Sequence, residues 1–302
     1  MSPLFKNILV IADIEGSSGC WSYEASSFKT EAWRQACIEM SRDVNAVVKG
    51  LLGAGVDFIT VKDFHRTGFN LLAELIHPEA KIVYGYHRGP VPGVGDPGKS
   101  EAVLFLGLHA ASGTGGFLAH TLTSRIQRLQ VNGKPMAEVA LFASSLAPFG
   151  IRPVFFSGCP VACAQATEII PQITTCSLDK TAGPDKFDAN RWRKKLVQSV
   201  IAALSNDSTE PYIPGGPFEA VITMRDGERI AQKLSTRWGH AREGANIFIK
   251  ADDIHTLYME LIRLCYLTPR IEKALPLALF VSNLRGRLGL AWLRRKGVGI
   301  RN

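Results

Sequence analysis

At 302 residues, 46% of them hydrophobic, the chain can bury a large core, which excludes a disordered chain or a small disulfide-stapled scaffold. No uncharged stretch reaches the roughly 18 residues of a membrane span, and Met1-Ser2-Pro3-Leu4-Phe5-Lys6 lacks the pattern of a signal peptide, so a cytoplasmic protein is expected. The net charge of +8 is unevenly spread, because residues 282–302 hold Arg285, Arg287, Arg294, Arg295, Lys296 and Arg301 and no acid.

The first strong pattern lies at residues 8–19, where Ile8-Leu9-Val10-Ile11-Ala12 gives way to Asp13-Ile14-Glu15-Gly16 and then to small residues. A branched aliphatic run of this kind reads as a strand buried on both faces, as in a parallel sheet. Strand alternation is expected to point Asp13 and Glu15 the same way, and two carboxylates so close call for a cation between them. A helix follows over residues 29–52, with Met40, Val44, Val47, Val48 and Leu51 at helical spacing. Residues 56–62 form the next strand and end in Asp63-Phe64-His65, so the right-handed crossover brings His65 to the same rim as the two acids.

Next come a short helix near residues 71–76, stopped at His77-Pro78, a strand at 81–84, and a Gly- and Pro-rich loop at 85–99 that holds His87 and could lie over a site. Another buried strand, 102–106, runs into Gly107-Leu108-His109-Ala110. The following Ser112-Gly113-Thr114-Gly115-Gly116 has neither a GK[ST] ending nor a Rossmann register, which excludes a nucleotide loop. His120 comes shortly after. Residues 125–131 alternate and meet Asn132-Gly133, a hairpin signal, and a helix opens at Glu138. Strand, helix and strand over 153–157, 161–170 and 173–177 complete the rhythm of a doubly wound, mostly parallel α/β sheet.

Past residue 180 the rhythm changes to a basic helix over 187–204, a polar linker, and a smaller α+β portion of strands at 218–224 and 245–250 with helices at 226–234 and 252–266. The expected organisation is a metal-binding α/β domain at 1–180, a smaller α+β domain at 181–281, and a basic amphipathic tail at 282–302. His240 and His255 read as surface or interface residues. The six cysteines are scattered and mostly in apolar segments, which suits reduced thiols; Cys159 and Cys163 have no partners for a structural zinc site.

Asp13, Glu15, His65 and His109 thus come from strand ends, and Glu138 from the start of a helix. Three carboxylates and two imidazoles are the oxygen and nitrogen set that zinc and related divalent ions favour, and the number suits two metals if one carboxylate bridges. Two ions roughly 3.5–4 Å apart can polarise a carbonyl and activate water, which points to amide hydrolysis.

The ordered set Asp13-Ile14-Glu15-Gly16, Asp63-Phe64-His65, Ile76-His77-Pro78-Glu79-Ala80, Leu106-Gly107-Leu108-His109-Ala110, His120, and Asn132-Gly133-Lys134-Pro135 with Glu138 resembles the DppA-type D-aminopeptidases, which are dinuclear zinc metallopeptidases. The resemblance covers residues 7–180 and, more weakly, continues to about 266. It implies two zinc ions per subunit, with Asp13 bridging, Glu15 and His65 completing one site, and His109 and Glu138 the other. It also implies that His120 is a catalytic histidine in proton transfer or direct attack, that the protein is a homo-oligomer built as a decameric ring, and that the substrates are short peptides with N-terminal D-amino acids. Ser157-Gly158-Cys159-Pro160, where the family carries an acidic pair, and Lys180-Thr181-Ala182-Gly183-Pro184 depart from the pattern and are expected to alter the substrate pocket. The competing expectation is a non-catalytic, metal-braced oligomer whose basic tail binds an anionic membrane or nucleic acid.

Overall fold

The computed structural model describes residues 3–295. In chain order the elements are β1 (Asn7–Ala12), α1 (Glu31–Gly53), β2 (Phe58–Asp63), β3 (Ala80–Val83), β4 (Ala102–Leu108), β5 (Ile126–Val131), β6 (Lys134–Pro135), α2 (Glu138–Leu146), β7 (Arg152–Gly158), α3 (Pro160–Ile169), β8 (Thr174–Ser177) and α4 (Ala189–Ala203). They continue with β9 (Phe218–Met224), α5 (Glu228–Trp238), β10 (Ala241–Glu243), β11 (Asn246–Ala251), α6 (Ile254–Tyr266), α7 (Pro269–Lys273) and α8 (Leu275–Arg295).

One sheet has six parallel strands in the order β3-β2-β1-β4-β7-β8. The chain leaves β1 for β2 and β3 on one side, then returns to β4 on the other, so the order reverses between β1 and β4. In open α/β sheets that reversal opens a crevice beyond the carboxyl ends of the strands. β1 shows why the sheet is covered on both faces: Leu9 and Ile11 enter one core with Phe142 of α2, while Ile8, Val10 and Ala12 enter the other with Met40 and Val44 of α1. The doubly wound α/β architecture is therefore the one the sequence predicts.

Three details differ from the sequence reading. The short helix near 71–76 is a single 3-10 turn, Ala73–Leu75. The hairpin β5-β6 joins β9, β11 and β10 in a second, antiparallel sheet, with Leu129 opposite Ile222 and Val131 opposite Ala220. That sheet takes strands from both sides of residue 180, and the pairing lines the apolar residues of the hairpin and of β9 on one face, in a core shared with Leu257 and Leu261 of α6. The third concerns the basic tail, most of which is a docked helix. Leu290 and Leu293 of α8 are buried in the α1-side core, and Trp292 stacks on Trp33 with ring centroids 6.0 Å apart. Lys296 and Arg301 lie outside the described residues.

Candidate metal centre

β1 stops at Ala12, before both acids. The chain then turns: the Ser17 amide and hydroxyl donate to the Ile14 carbonyl, and the Gly16 amide donates to the Gly107 carbonyl at 2.7 Å. A Cβ on Gly16 would sit 2.6 Å from the Gly107 backbone; Gly107 has φ +74°, and a Cβ there would strike the Asp13 carbonyl oxygen. This tight turn against the end of β4, and not alternation along a strand, brings Asp13 and Glu15 together.

His65 Nδ1 lies 3.2 Å from Asp13 Oδ1 and 3.0 Å from Glu15 Oε2. His109 Nε2 lies 3.5 Å from Asp13 Oδ2 and 3.6 Å from Glu138 Oε2. The two oxygens of Asp13 thus face two different histidines. The other Glu138 oxygen, Oε1, accepts from the Leu122 amide at 2.7 Å.

Each histidine has its tautomer set by a backbone carbonyl, which can only accept. His65 Nε2 lies 2.9 Å from the Ser26 carbonyl, His109 Nδ1 3.2 Å from that of Ala110, and His120 Nδ1 2.8 Å from that of Leu118. Each of these bonds needs the proton on the named nitrogen. In the neutral rings the lone pair is therefore left on His65 Nδ1, His109 Nε2 and His120 Nε2. His120 stacks on the His109 ring, centroids 3.7 Å apart and planes 13° from parallel. Leu118 and Leu122, which anchor His120 and Glu138, both have positive φ, 46° and 62°, a conformation rare for a bulky residue and typical of a functional site.

All six residues singled out in the sequence therefore meet at one place. The ligand atoms of Asp13, Glu15 and His65 lie within 4.8 Å of one another, as do those of His109, His120 and Glu138. All but the half-buried His120 are at most 7% exposed. Burial and the neighbouring Glu15 push Asp13 up to about 6. Burial opposes a charge on His65, but Glu15 and Asp13 outweigh it and push the imidazole up to about 10. Burial and the adjacent His120 push His109 down to about 4, and burial raises Glu138. Glu15 Oε2 is buried without a hydrogen bond, since His65 Nδ1 is aligned on Asp13. Packed acids, an orphaned carboxylate oxygen and imidazole lone pairs aimed inward form a donor set that fits divalent cations.

The other sequence candidates are elsewhere. Asp63 is used up as an anchor, accepting from the amides of Asn70 and Leu71 and from the Asn70 side chain. His87 is exposed and bonds to the Tyr84 carbonyl, His240 pairs with Glu260 at 3.3 Å, and His255 is exposed. The loop at 85–99 instead packs on the residue before His65, through the Tyr86 hydroxyl and the Phe64 carbonyl. The sequence reading named the Lys180 segment only as a departure in the pocket and missed what this lysine holds. Lys180 Nζ donates to the carbonyls of Glu15 and Ser17 at 2.8 Å each, and to that of Cys20, so it ties down the turn that carries the acids. Ser157 Oγ accepts from the Gly107 amide at 3.0 Å. The two segments expected to depart from the family pattern thus both touch the backbone around the site, Lys180 at Glu15 and Ser157 at Gly107.

The peptidase M55 family model, described as D-aminopeptidase, matches residues 7–262. The chain belongs to this D-aminopeptidase family. It is a D-aminopeptidase-type hydrolase. Among relatives of this family, a D-aminopeptidase of Bacillus subtilis (strain 168) is 24% identical over 241 residues, spanning 78% of this chain and 85% of the relative. The solved structure described as Zn-dependent D-aminopeptidase DppA from Bacillus subtilis, a self-compartmentalizing protease, superimposes with a TM-score of 0.76 at 22% identity, over 85% of this chain and 96% of that one. That likeness is one of fold.

Proposed function

We propose that this family member is a zinc-dependent aminopeptidase with a dinuclear site, acting on short peptides with N-terminal D-amino acids. The observation that carries the reading is Asp13, whose two oxygens face His65 and His109 separately, as a bridging carboxylate must. Glu15 and His65 would then hold one ion, and His109 and Glu138 the other. Zinc bound there supplies Lewis-acid polarisation of the scissile carbonyl and a water acidified to a pKa of about 7. His120 is the proton carrier: with Nδ1–H held by the Leu118 carbonyl, Nε2 can take a proton from the attacking water and return it to the leaving amine. Its stacking on His109 keeps the ring within reach of the site without using the lone pair.

The solved relative is described as self-compartmentalizing, which supports a homo-oligomeric ring, a decamer by family resemblance, with the sites facing an enclosed channel that admits small peptides. Among the described residues no helix is long and apolar enough to cross a membrane, and we place the enzyme in the cytoplasm. The test is to strip metal with a chelator, assay D-alanyl and L-alanyl amides, and restore zinc. The reading expects activity to vanish and return, with the D-amide preferred. Activity indifferent to chelation overturns the zinc mechanism, and preference for the L-amide overturns the stereochemical assignment.

A further inference from the structure

α8 has two apolar faces. At about 100° per residue, Gly286, Gly289, Leu290 and Leu293 share one face and are buried, with Phe69 packed on Gly286 and Phe28 on Gly289. Leu277, Phe280, Val281, Leu284 and Leu288 share the opposite face and are 46% to 64% exposed. A stripe of this length on a helix already docked by its other side is an unpartnered surface.

Its charge identifies the partner. Residues 273–302 contain seven Lys or Arg and neither Asp nor Glu. Arg285 and Arg287 fall on the two flanks of the stripe, and Arg295 ends it. Arg294 is paired with Glu74, whereas Arg287 and Arg295 are exposed. Between the stripe and the loop before α1 lies an open groove of about 440 Å³, lined by Phe28, Val281, Leu284 and Leu288, with Lys29 and Arg285 beside them. An apolar floor with cations beside it matches a phospholipid, chain on the floor and phosphate at the cations. A second copy of α8 is disfavoured, because two helices with only positive charge repel. The helix also lies beyond residue 262, where the family match ends.

We propose that the outer face of α8 docks the protein on anionic phospholipid, with the helix lying in the plane of the bilayer interface. The apolar stripe enters the headgroup boundary, and the flanking arginines meet lipid phosphates.

The experiment mixes the zinc-loaded, full-length assembly with phosphatidylcholine vesicles, with and without phosphatidylglycerol, and sediments them. Binding is expected to the anionic vesicles only, to weaken as salt rises, and to fall about tenfold or more in Phe280→Ser/Leu284→Ser and in Arg287→Gln/Arg295→Gln. Native mass, melting temperature and activity in solution should be unchanged in both, as all four side chains are exposed. Failure of the wild type to bind anionic vesicles overturns the proposal, as does binding undiminished by Phe280→Ser/Leu284→Ser. A fall in native mass in that variant without a loss of vesicle binding assigns the stripe to contacts between copies, and duplex DNA binding that needs the arginines but not Phe280 and Leu284 assigns it to nucleic acid; either overturns it.

Discussion

At the residue scale, Asp13 and His120 sit in one cluster and serve different ends. Removing Asp13 takes away an oxygen from both halves of the site, so Asp13→Ala should lose zinc and activity together. His120→Ala should keep zinc and slow turnover by about 10²–10⁴-fold, the range of a lost general acid–base group. A His120→Ala enzyme with full kcat, or one that has lost its metal, removes the residue from the proton-carrying role. His65 supplies a pH dependence. Without metal its imidazole is held protonated up to about 10, from an ordinary value of 6.5. Its contribution to apoprotein stability is thus complete below pH 6.5 and disappears as pH rises through 10. Zinc must displace that proton, so zinc affinity should rise about tenfold per pH unit between pH 7 and 9. Zinc titration by calorimetry in two buffers reads the released proton; a pH-independent affinity contradicts the assignment. Asp13, Glu15, His65 and His109 were legible because acids and histidines at strand ends stand out, Glu138 as an acid opening a helix, and His120 only through the family resemblance. The carbonyls of Ser26, Ala110 and Leu118 that fix the ring tautomers were not, since every residue has a carbonyl. Lys180, 165 positions from the Glu15 it steadies, carried no local signal. Lys180→Met should lower zinc affinity and melting temperature while leaving the five ligands in place, and equilibrium dialysis showing unchanged affinity refutes its bracing role.

At the element scale, the turn after β1 depends on the left-handed Gly107 at the end of β4. Gly107→Ala combines a positive φ with a collision against the Asp13 carbonyl. A destabilisation of about 1–3 kcal/mol is expected, with zinc lost before the fold unravels, and denaturant melts with metal analysis check it. A variant that keeps both stability and zinc shows that the turn tolerates rearrangement. Strands β1 and β4 were readable because buried strands are apolar nearly throughout. The partner of the 126–131 strand was not, as alternation shows that a strand has one buried face but not what covers it. The docking of α8 was hidden for a related reason: its apolar residues recur at helical spacing on two opposite faces, so the pattern does not say which face packs on the core.

At the scale of the whole molecule, the order reversal between β1 and β4 places the proposed ligands, from the ends of β1, β2 and β4 and the start of α2, at one crevice. The family match ends at residue 262, before α7 and α8, so the surface proposed to meet phospholipid lies outside the matched residues. Sedimentation velocity should give a mass several times that of the 33.0 kDa chain; a monomer at working concentration contradicts a self-enclosing assembly. The central claim is that five side chains from four segments grip two cations. Zinc counted per chain on the intact protein by native mass spectrometry tests it most directly: two in the wild type and in His120→Ala, and none in Asp13→Ala, is the predicted result. Fewer than two in the zinc-saturated wild type, or two retained in Asp13→Ala, would contradict it.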